Sequence, residues 1–199
     1  MTPARGDHDA RRSDVSAAVW RVLADRGFGG LTLRAVAAEL NASTGLLTHY
    51  FPNKRALLAY ALDLLDRHNL ERPRPAAERT SSADGGRALL RAVLLDILPL
   101  TPDGVAGNRI WVGSWDAALT DPELAADHAA RYRRARERLT GLVAQAREQG
   151  ELAGEASVEE VAAGAQSFVL GLVVQALFAP DEFPPERQVE LLDRYLDGL

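Results

Sequence analysis

The sequence predicts an all-α protein: a three-helix helix-turn-helix domain at the N-terminus, then a C-terminal helical bundle. Three observations carry this. Apolar residues recur at three- and four-residue spacing in segment after segment, with no period-two run that would mark a strand. The helical patterns are punctuated by capping residues, prolines and glycines in the positions that start and stop helices. A short polar segment, NASTGLLTHYFPNKRALL at 41–58, sits between two leucine-rich ones and holds the single lysine of a chain with 23 Lys+Arg.

The first predicted helix covers about 12–26, with Val15, Val19, Val22 and Leu23 on one stripe and Gly27 as its stop. The tail over 1–10 is expected to be loose. Thr32 caps a second helix carrying Leu33, Val36, Ala37 and Leu40, with Leu31 and Val36 placed as a staple across the cap. Ser43 caps a third over 43–51, whose buried edge is Leu47 and Phe51, one turn apart. Pro52 ends it. Asn53 caps a fourth helix over 53–68, with Leu57, Leu58, Ala61, Leu64 and Leu65 facing inward. The helix-turn-helix domain so defined spans 11–69.

The remainder, 70–199, opens with a Pro/Ser/Gly-rich connector. A helix marked by Leu89, Leu90, Val93, Leu94, Ile97 and Leu98 stops at Pro99, and Ile110, Trp111, Trp115, Ala118 and Leu119 mark another. Asp121-Pro122 is a cap followed by a first-turn proline, opening a helix that runs to about Gln149. Ser157 and Glu160 form a capping box for a helix reaching to Pro180, and a last helix follows Pro185.

Two short helices around a tight polar turn, backed by a supporting helix, form a helix-turn-helix. The second lies in the major groove, so its outward side chains must be small and polar while its inward ones anchor it. Ser43, Thr44, Leu46, Thr48 and His49 lie off the Leu47/Phe51 edge, with Leu46 suited to a thymine methyl, and Gly45 leaves room for close approach to DNA. Lys54, at the start of the next helix, suits a phosphate as a flexible point charge. Thr32, Ser43 and Asn53 are equally explained as caps, Arg34 as solvated surface and Tyr50 as a core aromatic.

Charge is consistent with a nucleic-acid-facing end. The net charge is −5, yet residues 1–60 hold eight basic against five acidic residues, +3, and the rest hold 15 against 23, −8.

The stretch TLRAVAAELNASTGLLTHYFPNKRALLAYAL closely resembles the DNA-binding segment of the tetracycline-repressor-like (TetR) regulators, whose recognition helix ends in a His-Tyr-Phe or similar triplet followed by a turn and a Lys. The resemblance implies phosphate or base contacts at Thr32, Arg34, Thr44, Thr48, His49, Tyr50 and Lys54. Thr48 stands where the family most often has Tyr, a shorter reach. From RIWVGSWDAALTDPEL onward the chain is similar to the C-terminal domains of the BetI-like branch. The implied function is a ligand-responsive homodimeric regulator, a repressor at a palindromic operator in double-stranded DNA. The alternative is a helical small-molecule-binding or scaffold protein whose helix-turn-helix meets protein.

Candidate effector-pocket residues are Asn108, Trp111, Trp115, Asp116, His128, Tyr132, Gln166 and Phe168: aromatic walls with a few polar groups, unless the aromatics are simply core. Asp116 beside aromatics suits a cation. The helix from Val158 carries an inner stripe, Val161, Ala165, Phe168, Leu172 and Ala176, and a second, Gly164, Ser167, Gly171, Val174 and Phe178. A helix with two apolar faces needs two partners. Gly164, Ser167, Gly171, Val174, Gln175 and Phe178, with Leu191, Leu192 and Tyr195 of the last helix, are therefore the expected dimer interface. Gly164 and Gly171 could alternatively serve packing within one chain.

Cysteine is absent, which excludes disulfides and thiolate sites and fits a cytoplasmic protein. No leader pattern or uninterrupted apolar run of about 18 residues suggests a membrane segment. Four histidines, at 8, 49, 68 and 128, lack metal-ligand spacing, and no phosphate loop, nucleophile motif or carboxylate pair points to an enzyme. No metal or cofactor is expected beyond an unidentified small-molecule effector.

Overall fold

The computed structural model describes residues 5–71, 74–81 and 84–199, with helix side chains described outside 5–11 and 69–71. The order is α1 (Arg5–Arg26), α2 (Leu33–Glu39), α3 (Thr44–Thr48), α4 (Lys54–Glu71), α5 (Pro75–Arg79), α6 (Gly86–Leu95), α7 (Pro102–Gly113), α8 (Trp115–Thr120), α9 (Pro122–Glu148), α10 (Val158–Phe178) and α11 (Pro185–Asp197). No strand occurs among the described residues.

The chain divides into two compact units, residues 1–72 with 109–124, and 73–108 with 125–199. Residues 109–124, which sequence patterning places in the C-terminal domain, thus belong with the helix-turn-helix. The reason is burial: Ile110, Ala118 and Leu124 join Val19, Leu23, Leu31, Val36, Leu47, Phe51, Leu57 and Leu65 in one hydrophobic core. The staple residues Leu31 and Val36 are both fully buried there.

Several boundaries shift from expectation. Of the loose tail expected over 1–10, residues 1–4 lie outside the described residues, while α1 is already helical from Arg5. The connector over 71–86 contains α5. Its free N-terminal groups find an acceptor on another helix, since Ala76 N–H donates to Asp96 Oδ1 at 3.3 Å and Ala77 N–H to Oδ2 at 3.1 Å. The helix expected to begin near Ile110 begins at Pro102 and breaks at Ser114, whose Oγ donates to the Trp111 carbonyl at 2.6 Å. Trp111 and Trp115 therefore stand on different helices, α7 and α8, and not on one.

In the second unit α6, α10 and α11 pack on one another. Leu90, Leu94, Leu139, Val143, Val169, Leu172, Leu192 and Leu196 are buried. Gly86 permits a close helix approach: a Cβ there would come within 2.7 Å of Ala146 Cα. Arg91 pairs with Asp193 through two hydrogen bonds, at 2.5 and 2.9 Å, joining α6 to α11. The expected caps occur as read. Ser157 and Glu160 form the capping box of α10, which holds the Glu160 carboxyl below its ordinary range through the Ser157 backbone N–H and then its hydroxyl.

Candidate nucleic-acid interface

Three caps set the local geometry of the helix-turn-helix. Thr32 Oγ1 accepts from Ala35 N–H at 3.0 Å, Ser43 Oγ from Leu46 N–H at 3.3 Å, and Asn53 Oδ1 from Ala56 N–H at 2.9 Å. The turn between α2 and α3 is made by Asn41, whose φ of +52° is the sole positive value at a non-glycine among the described residues. Asparagine tolerates that region, and the following Ala42 N–H closes back on the Ala37 carbonyl at 2.9 Å. Sequence reading assigned the turn without assigning Asn41 this role; an Asn just past a helical stripe is the signal that was available.

α3 is shorter than expected, five residues in place of 43–51, because His49 already acts as its C-cap. The helical path nevertheless continues one turn, with Phe51 N–H donating to the Leu47 carbonyl at 2.8 Å. Leu47 is the one buried residue of α3. Around it Ser43, Thr44, Gly45, Leu46, Thr48 and His49 are all exposed, as are Thr32, Arg34 and Lys54. Leu46, at 38% exposure, stands among the few large hydrophobics on the surface. Thr48 differs from its neighbours in that its hydroxyl donates to the Gly45 carbonyl at 2.8 Å, which leaves the oxygen as an acceptor only. Tyr50 is half-buried and packs against the hydrophobic core, with its ring 6.4 Å from that of Phe51. The DNA-facing candidates thus lie on the exposed side of α2, α3 and the start of α4, with Tyr50 partly withdrawn.

Arg55, which patterning did not single out, is tied to the junction of α8 and α9. Its Nε lies 3.2 Å from Asp121 Oδ2, and its Nη1 pairs with Glu123. Asp121 uses its other oxygen as the cap of α9, accepting from Glu123 N–H at 3.0 Å and Leu124 N–H at 3.3 Å. Both acids hold the Arg55 guanidinium above its ordinary value, the Glu123 hydrogen bond foremost. The partners are distant in sequence, so no local pattern announces them.

The effector-pocket candidates fall in both units. Trp111, Trp115 and Asp116 belong to the first, where Trp111 packs against the core and Asp116 is exposed. Trp115 Nε1 is buried with no acceptor among the described residues. Asn108, His128, Tyr132, Gln166 and Phe168 belong to the second. Asn108 Nδ2 donates to the Ile97 and Gly104 carbonyls, both at 3.0 Å, and Gln166 Nε2 to the Tyr132 carbonyl at 3.0 Å, so both amides tie backbone together. His128 is buried, its ring 6.1 Å from that of Tyr132. Phe168, expected on the inner stripe and in the pocket, is half-buried and stacks on Tyr195 at 4.3 Å, because its position faces α11. A cleft of about 670 Å³ in the second unit is lined by Asp84, Arg87, Arg91, Glu151, Asp193 and Asp197. None of the pocket candidates borders it, and its arginines are paired with Asp197 and Asp193.

Of the dimer candidates, Ser167, Gly171, Gln175 and Phe178 form an exposed stripe on α10, with Phe178 at 82% exposure. A Cβ at Gly171 would meet nothing within 4 Å. Val174, Leu191 and Tyr195 are half-buried. Leu192 is fully buried within its own chain, which removes it from any surface available to a partner. Gly164 packs internally, since a Cβ there would lie 2.9 Å from the Tyr195 hydroxyl. α10 is long and apolar enough to cross a membrane by length and composition, with a mean hydropathy of 1.8, though Gln166, Ser167 and Gln175 interrupt it and 44% of it is buried inside the protein.

Comparison with known proteins matches these features at both ends of the chain. Residues 15–61 match the family of bacterial regulatory proteins of the tetR type, and residues 86–199 match the C-terminal domain of BetI-type transcriptional repressors. The chain belongs to the TetR family. It is 28% identical over 199 residues to the HTH-type transcriptional regulator BetI of Burkholderia thailandensis, covering 99% of this chain and 97% of that one. Among solved structures, a transcriptional regulator from Rhodococcus sp. RHA1 superposes with a TM-score of 0.78 at 24% identity, over 93% of each chain. A regulator from Saccharomonospora viridis, in complex with choline, superposes with a TM-score of 0.82 at 18% identity over 95% of this chain and 96% of that one. The protein is thus a helix-turn-helix transcriptional regulator of the BetI type and not an enzyme. Regulators of this family bind DNA and small-molecule effectors.

Proposed function

We propose that the protein represses transcription as a homodimer, each protomer placing α3 in one of two successive major grooves of a palindromic operator. The observation that carries this reading is the construction of α3: one buried anchor, Leu47, under a surface of small polar side chains, followed directly by exposed Lys54. His49 and Thr44 read base edges, Leu46 meets a thymine methyl, and Thr32, Arg34, Tyr50 and Lys54 contact the phosphates.

Dimer formation through α10 and α11 is supported by the exposed stripe Ser167, Gly171, Gln175 and Phe178 on the most apolar long helix. Small side chains at Ser167 and Gly171 leave room for another backbone to come close, Phe178 at 82% exposure calls for cover, and a two-fold partner presents the same face in return.

The effector is a small cation in this reading. Asp116 and the indoles of Trp111 and Trp115 supply the acid and aromatic faces that such a ligand requires. The buried Trp115 N–H offers a donor for an oxygen of the same molecule. The S. viridis regulator, similar in fold, is in complex with choline, a cation of this class. Titration of the tryptophan fluorescence with cationic and anionic amphiphiles tests the class, and a preference for anions removes it.

DNA contact is tested by two substitutions. Lys54→Ala should weaken binding to all sequences alike and flatten the log-affinity against log-salt slope by about 0.9. His49→Ala should instead change base preference at one or two operator positions. A Lys54→Ala protein with the wild-type slope would contradict the phosphate assignment. Salt-independent binding throughout would favour a helix-turn-helix that meets protein.

A further inference from the structure

Lys54 and Arg55 are adjacent cations in the first turn of α4, but their surroundings differ. No ion pair of Lys54 is recorded among the described residues, whereas Arg55 is held by two carboxylates from the α8–α9 corner. The arrangement is economical in atoms: Asp121 Oδ1 caps α9 through the Glu123 and Leu124 N–H groups while Oδ2 takes the Arg55 Nε. Leu124, next in the chain, is buried in the same core as Leu57 and Leu58, which line the inner side of α4 just after Arg55. The corner is therefore anchored by packing, and its two acids are presented to the guanidinium from a fixed base.

We infer that Asp121 and Glu123 are an internal competitor for the DNA backbone, holding Arg55 off the phosphates so that the α8–α9 corner sets how many cations the start of α4 offers to DNA. The inference rests on the DNA-binding reading above. A carboxylate pair and a phosphate offer the same guanidinium the same fork of acceptors. The pairing is half-exposed, with Arg55 at 50% and Glu123 at 72% exposure, so it is weak enough to be exchanged for a phosphate when the corner shifts. Any rearrangement of 109–124 then changes DNA affinity through charge as well as through the position of α3. In this role Arg55 tunes affinity and does not read sequence.

The test is a double-mutant cycle on the full-length protein, read as the salt dependence of binding to a fixed duplex. Asp121→Asn with Glu123→Gln removes both charges while Asn retains the cap of α9, as circular dichroism and thermal denaturation would verify. The Asn/Gln protein should show a slope steeper by about one unit than the wild type, and adding Arg55→Ala should cost about one unit more slope in that background than in the wild type. Glu123→Gln alone, at an exposed position, should give a smaller steepening and serves if the pair fails to fold. Additive effects of Arg55→Ala across the two backgrounds would overturn the inference, since they would mean that the acids act only through net charge. An unchanged slope in the Asn/Gln protein would overturn it as well. If the wild type itself shows no salt-dependent binding, the DNA reading falls and takes this inference with it; additivity over normal salt-dependent binding leaves the DNA reading standing.

Discussion

Leu47→Ala tests whether Leu47 is what docks α3, with Phe51, buried one turn on, holding the chain beyond it. Leu47 is 0% exposed and the one buried residue in a five-residue helix whose other positions face outward. The substitution removes three carbons, and at about 0.8 kcal/mol each the lost transfer free energy is about 2.4 kcal/mol, before any cavity term. Because α3 lies at the edge of the core, loss of that anchor should undock it locally and leave the packing of α1 against α4 in place. A local loss of about 2.4 kcal/mol lowers the docking equilibrium constant of the helix about 60-fold, and DNA affinity should fall by up to that factor, reached where the undocked state predominates. Amide hydrogen exchange reads the same quantity directly. The amides of Tyr50 and Phe51, bonded to the Leu47 carbonyl, should exchange about 60-fold faster, while those of buried α1 and α4 positions such as Val19 and Ala61 should change far less. Leu57→Ala, in the same core but on α4, is the contrasting variant and should accelerate exchange throughout the unit. Uniform acceleration across α1 to α4 in the Leu47→Ala protein would refute the argument that Leu47 docks α3 locally, as would wild-type exchange at Tyr50 and Phe51.

Other substitutions address the second unit. Gly86→Ala should destabilise by about 1–3 kcal/mol, seen as a lower Tm, because the new Cβ would meet the Ala146 backbone, which cannot move as a side-chain tip can. An unchanged Tm would show that α6 and α9 separate at little cost. Gly171→Arg places a charge on the exposed stripe of α10, at a position where a Cβ meets nothing within 4 Å. It should give a helical monomer by sedimentation at concentrations where the proposed dimer of the wild type is expected, and a dimeric variant would move the interface elsewhere.

What was legible in the sequence was local. Thr32, Ser43, Asn53, Asp121 and the Ser157/Glu160 box bond to N–H groups two or three residues away, so residue type and spacing suffice to find them. The buried edge of α3 was legible for the same reason. Features made by distant partners were not. Asp96 bonds to α5 from 20 residues away, and Arg55 meets acids of a later segment that packs as part of the first unit. The split of the tryptophans between α7 and α8 was hidden because Ser114 is compatible with either a continuous or a broken helix until its hydroxyl bonds to Trp111. Phe168 and Gly164 illustrate a further limit. On a helix that is apolar nearly all round, periodicity cannot say which stripe meets its own chain and which is left outside. The exposed candidates for the DNA interface follow from the resemblance and the polar pattern together, because contact with a base is a property of the complex and leaves no mark on the free chain beyond exposure.

The central claim is sequence-specific binding through α3, and selection from a randomised pool of double-stranded DNA tests it most directly, run with the wild type and with His49→Ala in parallel. The account predicts enrichment of a palindrome by the wild type, with half-sites about one helical turn apart, and an altered base preference in the variant at one or two positions of each half-site. Enrichment of no sequence by the wild type, or the same palindrome from both proteins, would contradict it.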